Sequence, residues 1–321
     1  MSINRLLNRL STHLAFLTMH ARWRFLALGA VTLIFLVVAI ALRRPGILSR
    51  TATKQSVALE RDGAQPNAGS DSSVSVVRTL VSPKDGAEMI FVPPGEFIMG
   101  TDGGYANEKP SHTVFLEGFY IYKYEVTVAQ YKAFLQEPAS KGQEPDEPYD
   151  SYMPQDYFTN PTYSNHPVVN VSWENAEAYC RWAGNRMLSE AEWEKAARGT
   201  DGRTYPWGSA WDENNCSWDD ESFGFRADGY SFTAPVGSYH SGVSPYGVYD
   251  MSGNAWEWVS DWYQPYAGND TQDPDYGNTY RVIRGGSWLR YPLGLTTTAR
   301  DTCAPNLRYN SIGFRCGSSP R

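Results

Sequence analysis

The chain has 321 residues, 41% of them hydrophobic, and a formal charge of −7. Residues 1–44 hold six arginines and no acid, so the remainder carries 22 basic against 35 acidic side chains, a charge of −13. That balance excludes nucleic-acid phosphates as a main partner and suits cation binding and solubility outside the cell.

Residues 1–24 form a short head. Phe25 to Leu42 follow as 18 positions without a charge. At about 1.5 Å per residue this run reaches about 27 Å, the minimum for a membrane-spanning helix. Arg43, Arg44 and Pro45 follow directly, where a cleaved signal peptide would end in small residues. An uncleaved signal anchor over 25–42 is the reading favoured over cleavage. Arginines flank the run on both sides, so the positive-inside rule does not orient it. The short head and large C-terminal domain favour a single-pass inner-membrane protein of bacterial type, its domain facing the periplasm or cell exterior. Residues 43–86, rich in Ser, Ala, Thr, Gly and Gln, bury too little apolar surface to offset their ordering entropy and read as a flexible linker.

From residue 87 to 321 the composition changes to aromatic-rich segments with many turns. Met89–Val92 followed by Pro93–Gly100 read as two short strands around a turn, with Pro-Gly supplying the fixed and the permissive φ. His112–Val126 contains a further strand. Thr127 caps a helix through Leu135, and residues 137–165 read as a long surface loop. Ser172 starts a helix to Trp182, with Gly184 placed to end it. Ser189-Glu190-Ala191-Glu192 is a capping box for a helix to Arg198, stopped by Gly199. Beyond it, strand-like pieces at Tyr246–Tyr249, Arg281–Ile283 and Gly313–Cys316 alternate with long turns. The class is α+β with much irregular structure.

Asp250-Met251-Ser252-Gly253-Asn254-Ala255-Trp256-Glu257-Trp258 is the most informative stretch. Two carboxylates bracket a glycine and an asparagine, a pattern suited to a turn whose carboxylates and carbonyls meet a hard cation. An aromatic-rich turn in a core is the alternative. No HxxxH or HExxH spacing is present, nor a GxSxG elbow or phosphate-cradling glycine loop.

Nine pieces in order complete the picture: Val92–Gly100 (VPPGEFIMG), Glu125-Val126-Thr127, His166–Trp173, Ala178–Gly199, Tyr205–Gly208, Ala234–Tyr239, Gly253–Trp258, Arg284–Trp288 (RGGSW) and Gly313–Cys316 (GFRC). Together they resemble the formylglycine-generating enzyme family, the sulfatase-modifying-factor domain, from about Met89 to Cys316. The resemblance implies one compact, loop-rich domain related to C-type lectins and stiffened by structural calcium. One calcium set would be Asn215 and Asp228 with the carbonyls of Cys216 and Tyr230. The other would be Asp250 and Glu257 with the carbonyls of Gly253 and Ala255. It also implies a structural disulfide between Cys180 and Cys316, a bridge that fits an oxidising compartment.

Family enzymes oxidise a target-peptide cysteine with oxygen and a copper(I)-binding cysteine pair placed soon after the Gly-Gly-Ser turn. Here those positions hold Arg290 and, by a looser alignment, Leu295. Neither side chain binds copper(I), so copper is not expected. Trp256, Ser287 and Arg290 are the groove candidates, and no catalytic residue is assigned. Cys216 and Cys303 are left to bridge, stay reduced or form a displaced redox pair. Three functions follow. One is an extracytoplasmic accessory or maturation factor acting on a protein, peptide or small-molecule precursor; relatives without the pair include accessory factors for copper nitrite reductase and a pyoverdine-maturing protein. If it catalyses, it is an oxidoreductase. The second is a noncatalytic, lectin-like ligand-binding or scaffolding module. The third is true formylglycine generation on sulfatases, which the missing thiols disfavour.

Overall fold

The computed structural model describes residues 78–148, 153–218 and 229–320. The head, the expected membrane segment over 25–42 and most of the linker lie outside the described residues. Among the described residues no helix is long and apolar enough to cross a membrane.

Eleven strands and three helices position the site among the described residues. β1 (Thr79–Val81), β2 (Glu88–Val92), β5 (Phe119–Tyr122), β11 (Cys316–Ser318) and β6 (Arg186–Met187) form a sheet in the order β1-β2-β5-β11-β6. β10 (Ile312–Phe314), β7 (Trp256–Trp262), β8 (Arg281–Arg284) and β9 (Arg300–Cys303) form a second sheet in that order, with β10 parallel to β7. β3 (Gly95–Met99) and β4 (His112–Leu116) pair as a separate hairpin. Arg315 alone separates β10 from β11, so one residue carries the chain from one sheet to the other.

The helices start where side-chain oxygens satisfy their first amides. Thr127 caps α1 (Val128–Leu135), Ser172 caps α2 (Trp173–Trp182) and Ser189 caps α3 (Glu190–Arg198), each completing a capping box with the residue three positions on. Gly184 and Gly199 follow α2 and α3 in left-handed backbone, at φ 77° and 70°. The main core packs Ile90, Val92, Phe119 and Ile121 of the first sheet against Trp193, Ala196 and Ala197 of α3 and Val259 and Val282 of the second sheet. The Cys180–Cys316 disulfide ties α2 to β11, with Cα atoms 5.6 Å apart.

Several elements differ from the sequence expectation. The tether was expected to reach residue 86, yet Thr79–Val81 pair with Glu88–Ile90 and Ser82 is buried, so the ordered domain starts earlier. Three exposed side chains on an edge strand leave no apolar signal to read. Tyr246–Tyr249 is a turn, not a strand. Within 137–165, Met153 and Tyr157 are buried against Val128, Val169 and Ala255, so this irregular segment supplies core as well as surface.

Candidate functional site

The stretch from Asp250 to Trp258 is half turn and half strand. Asp250, Gly253 and Asn254 take positive φ of 57°, 84° and 62°, and β7 starts at Trp256. At Gly253 the backbone approaches so closely that an added Cβ would lie 2.1 Å from the Ser217 carbonyl oxygen. The Asn254 amide donates to that same carbonyl, 3.1 Å away. The turn therefore sits on the Cys216–Ser217 segment, which brings parts of both expected calcium sets together. Asp228 of the first set lies outside the described residues.

Three buried carboxyls and one buried guanidinium meet here. Glu257, on β7, accepts from Arg315 Nη2 at Oε1 (2.7 Å) and from Arg315 Nε and Trp193 Nε1 at Oε2 (2.7 and 2.9 Å). Arg315 also donates to the carbonyls of Tyr122, Lys123 and Tyr249, joining both sheets. Glu125 accepts from Asn254 Nδ2 (2.7 Å) and the Ala255 amide (3.1 Å). Asp250 accepts from the Gly237 amide at 2.6 Å. Burial raises the Glu125 carboxyl well above its ordinary value, and Asp250 and Glu257 raise it further. Burial also pushes Asp250 up to about 6, against the Gly237 amide and Arg315, which lower it.

Among the described residues no three His, Cys, Asp or Glu side chains gather as a metal-holding cluster. A cation here would rely on backbone carbonyls, as hard-oxygen sites commonly do. The donor chemistry fits. Asp250 and Glu257 are carboxyls beside a single guanidinium, whose charge a cation would supplement, and Gly253 and Ala255 lie on the same turn with their carbonyls as further oxygen donors. Glu257 would have to share oxygens already engaged by Arg315. Glu125 was missed by sequence reading because its partners are more than 125 positions away. Only its place in the Glu125-Val126-Thr127 piece singled it out.

At the start of β7 the groove candidates come together but are covered. The Arg290 guanidinium lies 5.5 Å from the Trp256 ring centroid and pairs with Asp301 at 2.9 Å. The Arg290 amide donates to the Ser287 carbonyl, and Ser287 Oγ accepts from the Leu289 amide. Trp256 is 4% and Ser287 1% exposed, and the Arg290 guanidinium lies beside the Trp256 ring. Leu295 is fully buried in an apolar cluster with Cys216, Trp218, Trp207 and Trp211.

A family model for the sulfatase-modifying factor enzyme 1-like domain matches residues 77–319. The chain belongs to this family. A serine/threonine-protein kinase Pkn1 of Chlamydia trachomatis is 36% identical over 246 residues, covering 71% of this chain and 38% of the kinase. The chain thus spans well under half the length of that curated relative. The formylglycine-generating enzyme of Streptomyces coelicolor is 33% identical over 286 residues, covering 74% of this chain and 90% of that protein. Among solved structures, PvdO from Pseudomonas aeruginosa aligns with a TM-score of 0.60 at 29% identity, covering 76% of this chain and 98% of PvdO.

Cys180 and Cys316 form the disulfide that the resemblance implies. Cys216 and Cys303 are both buried and no disulfide joins them. Burial, and secondarily Asp301, raises the Cys303 thiol well above its ordinary value, opposite to what a metal-binding or nucleophilic thiolate requires. A displaced redox pair in an open cleft is therefore not formed by these two residues.

Proposed function

We propose that this chain is a membrane-anchored, extracytoplasmic member of the family that serves as an accessory or maturation factor without copper–cysteine chemistry. The observation that carries this reading is the state of the two positions where a thiol pair is expected. Arg290 is committed to Asp301 and Trp256, and Leu295 is buried in an apolar cluster. Soft thiolates are what hold copper(I), and neither side chain supplies one. The client is a protein, a peptide or a small-molecule precursor of the same compartment.

The Cys180–Cys316 disulfide supports an oxidising location, where such bonds persist. The apolar run over 25–42 supports a single-pass anchor. Calcium would be held by Asp250 and Glu257 with the carbonyls of Gly253 and Ala255, and would act as a structural ion. Asn215, Asp228 and the carbonyls of Cys216 and Tyr230 would form the second set.

A lectin-like binding module is the second reading. It is favoured by the Tyr205 and Trp207 rings, stacked at 5.1 Å and 7°, with Trp211 beside them at the edge of the Leu295 cluster. Copper(I) titration of the full chain against a competing chelator tests the main reading. We expect no stoichiometric copper uptake, and one tightly held copper per chain would overturn it. Alkaline carbonate extraction tests the anchor: the chain should stay with the membrane pellet, and release into the wash would sink that element.

A further inference from the structure

β7 and β8 carry a second constellation at the end away from Trp256. The Arg281 guanidinium carbon lies 3.9 Å from the centroid of the Trp173 ring and 3.6 Å from that of Trp262. Two rings fit at such distances only on opposite faces of the planar group, so the arginine is clamped between them. The pairing of β7 with β8 shifts register between Trp258 and Trp262, an irregularity of the kind that re-aims side chains beside binding sites. Ser260, within the shifted stretch, accepts Arg281 Nη1 with its carbonyl.

The electrostatics set Arg281 apart. Arg198, Arg284, Arg300 and Arg315 are buried, and each holds a carboxylate. Arg281 has no ion pair among the described residues, although it is clamped and partly buried. Its Nε is buried with no hydrogen-bond partner, and among the described residues Nη1 is engaged by the Ser260 carbonyl while Nη2 makes no hydrogen bond. A site closed to water is closed to a ligand oxygen as well, so Nη2 is the donor that can meet a carboxylate from the cleft, with a charge-assisted hydrogen bond. Burial lowers the Arg281 guanidinium from its ordinary value, and Glu177, Asp261 and Glu174 offset part of that. None forms an ion pair with it: Asp261 accepts from the Glu190 amide and Ser260 Oγ, and Glu177 pairs with Arg181.

Arg281 opens onto a cleft of about 390 Å³ lined also by Trp173, Glu177, Arg181, Ser189 and Ser260. That volume lies within the range of small-molecule sites. Trp256 and Trp262 are six residues apart on β7, about 20 Å at the usual rise of a strand, so this cleft is separate from the covered groove.

We infer that this cleft is a binding site for a carboxylate-bearing ligand, held by Nη2 of the Arg281 guanidinium clamped between Trp173 and Trp262, with Arg181 at the rim. The carboxylate source is either an acidic residue of a peptide or a sugar acid. Calorimetry on the full chain in detergent distinguishes them, using acetyl-glutamate and glucuronate as probes, acetyl-glutamine and glucose as their uncharged twins, and inorganic phosphate as the other anion class. At least one acid should bind with Kd of about 1 mM or tighter, and its neutral twin about tenfold more weakly. Arg281→Gln should abolish this binding. Glu177→Gln, which removes a negative charge from the rim, should strengthen it several-fold, and Arg181→Gln should weaken it. The last two replace exposed side chains, so they decide the matter if Arg281→Gln fails to fold. Binding of acetyl-glutamate alone assigns a peptide acid, and of glucuronate alone a sugar acid. The proposal is overturned if neither acid saturates the wild-type chain, if phosphate outcompetes both, or if acid binding ignores the Arg281 or Glu177 substitution.

Discussion

Arg315→Met removes the one guanidinium that faces Glu257, Glu125 and Asp250. Methionine keeps much of the side-chain volume, so the loss is chiefly electrostatic and of hydrogen bonds. Wild-type Arg315 makes five contacts inside 3.3 Å, two with Glu257 and three with backbone carbonyls of Tyr122, Lys123 and Tyr249. Without it Glu257 stays buried with only the Trp193 indole as donor, and the other two carboxyls lose their nearest positive charge. Breaking a buried pair from one side costs about 3–5 kcal/mol. For a domain of this size that corresponds to a melting shift of about 6–20 °C. The measurement is thermal unfolding of the full chain at pH 7 by near-UV circular dichroism, which follows the tryptophans. Arg315→Lys keeps the charge but not the two-pronged grip and should fall between the two. A loss below about 1 kcal/mol for Arg315→Met would refute the view that this arginine neutralises the site.

Other outcomes follow from single features. Cys180→Ala with Cys316→Ala opens a loop of 136 residues; the chain-entropy view predicts a loss of about 4–5 kcal/mol, read by urea unfolding and matched by reduction of the wild type. Gly253→Ala places a Cβ against the Ser217 carbonyl in left-handed backbone and should cost about 2 kcal/mol or more, seen in the same titration. His166, buried beside Tyr157 and Thr233, is lowered by burial to about 4. The unfolded chain takes up that proton below about 6.5, so this contribution is complete above 6.5 and is lost as pH falls towards 4. Its size is at most about 3 kcal/mol, less wherever water reaches the ring; urea midpoints at pH 7 and pH 5 measure it, and His166→Phe should flatten that difference. Calcium chelation should lower the melting temperature, and Asp250→Asn should make the chain insensitive to chelator at that set.

What the sequence made legible were features encoded within a few residues. Thr127, Ser172 and Ser189 announce helix starts because each cap and its return partner lie three positions apart. β7 was hidden because its turn and its strand share one aromatic run, and burial on both faces erases the alternation that marks a strand. β1 was hidden for the opposite reason, having no buried face. The side chains that build the site and the cleft meet across long separations: Glu125 with Asn254, Arg315 with Glu257, Arg281 with Trp173. No local pattern encodes them. Fourteen residues after the Gly-Gly-Ser turn, Asp301 waits for Arg290, and nothing in the intervening sequence says that the loop will fold back over Trp256.

On the proposed reading, Arg290 and Leu295 leave this chain without the copper-held thiol pair that formylglycine generation requires. Incubating the purified full chain with a Cys-x-Pro-x-Arg peptide, copper and oxygen, and trapping aldehyde with a hydrazide, tests it directly. The peptide cysteine is expected to survive, with no hydrazone formed. Turnover to an aldehyde that requires the folded chain would contradict it.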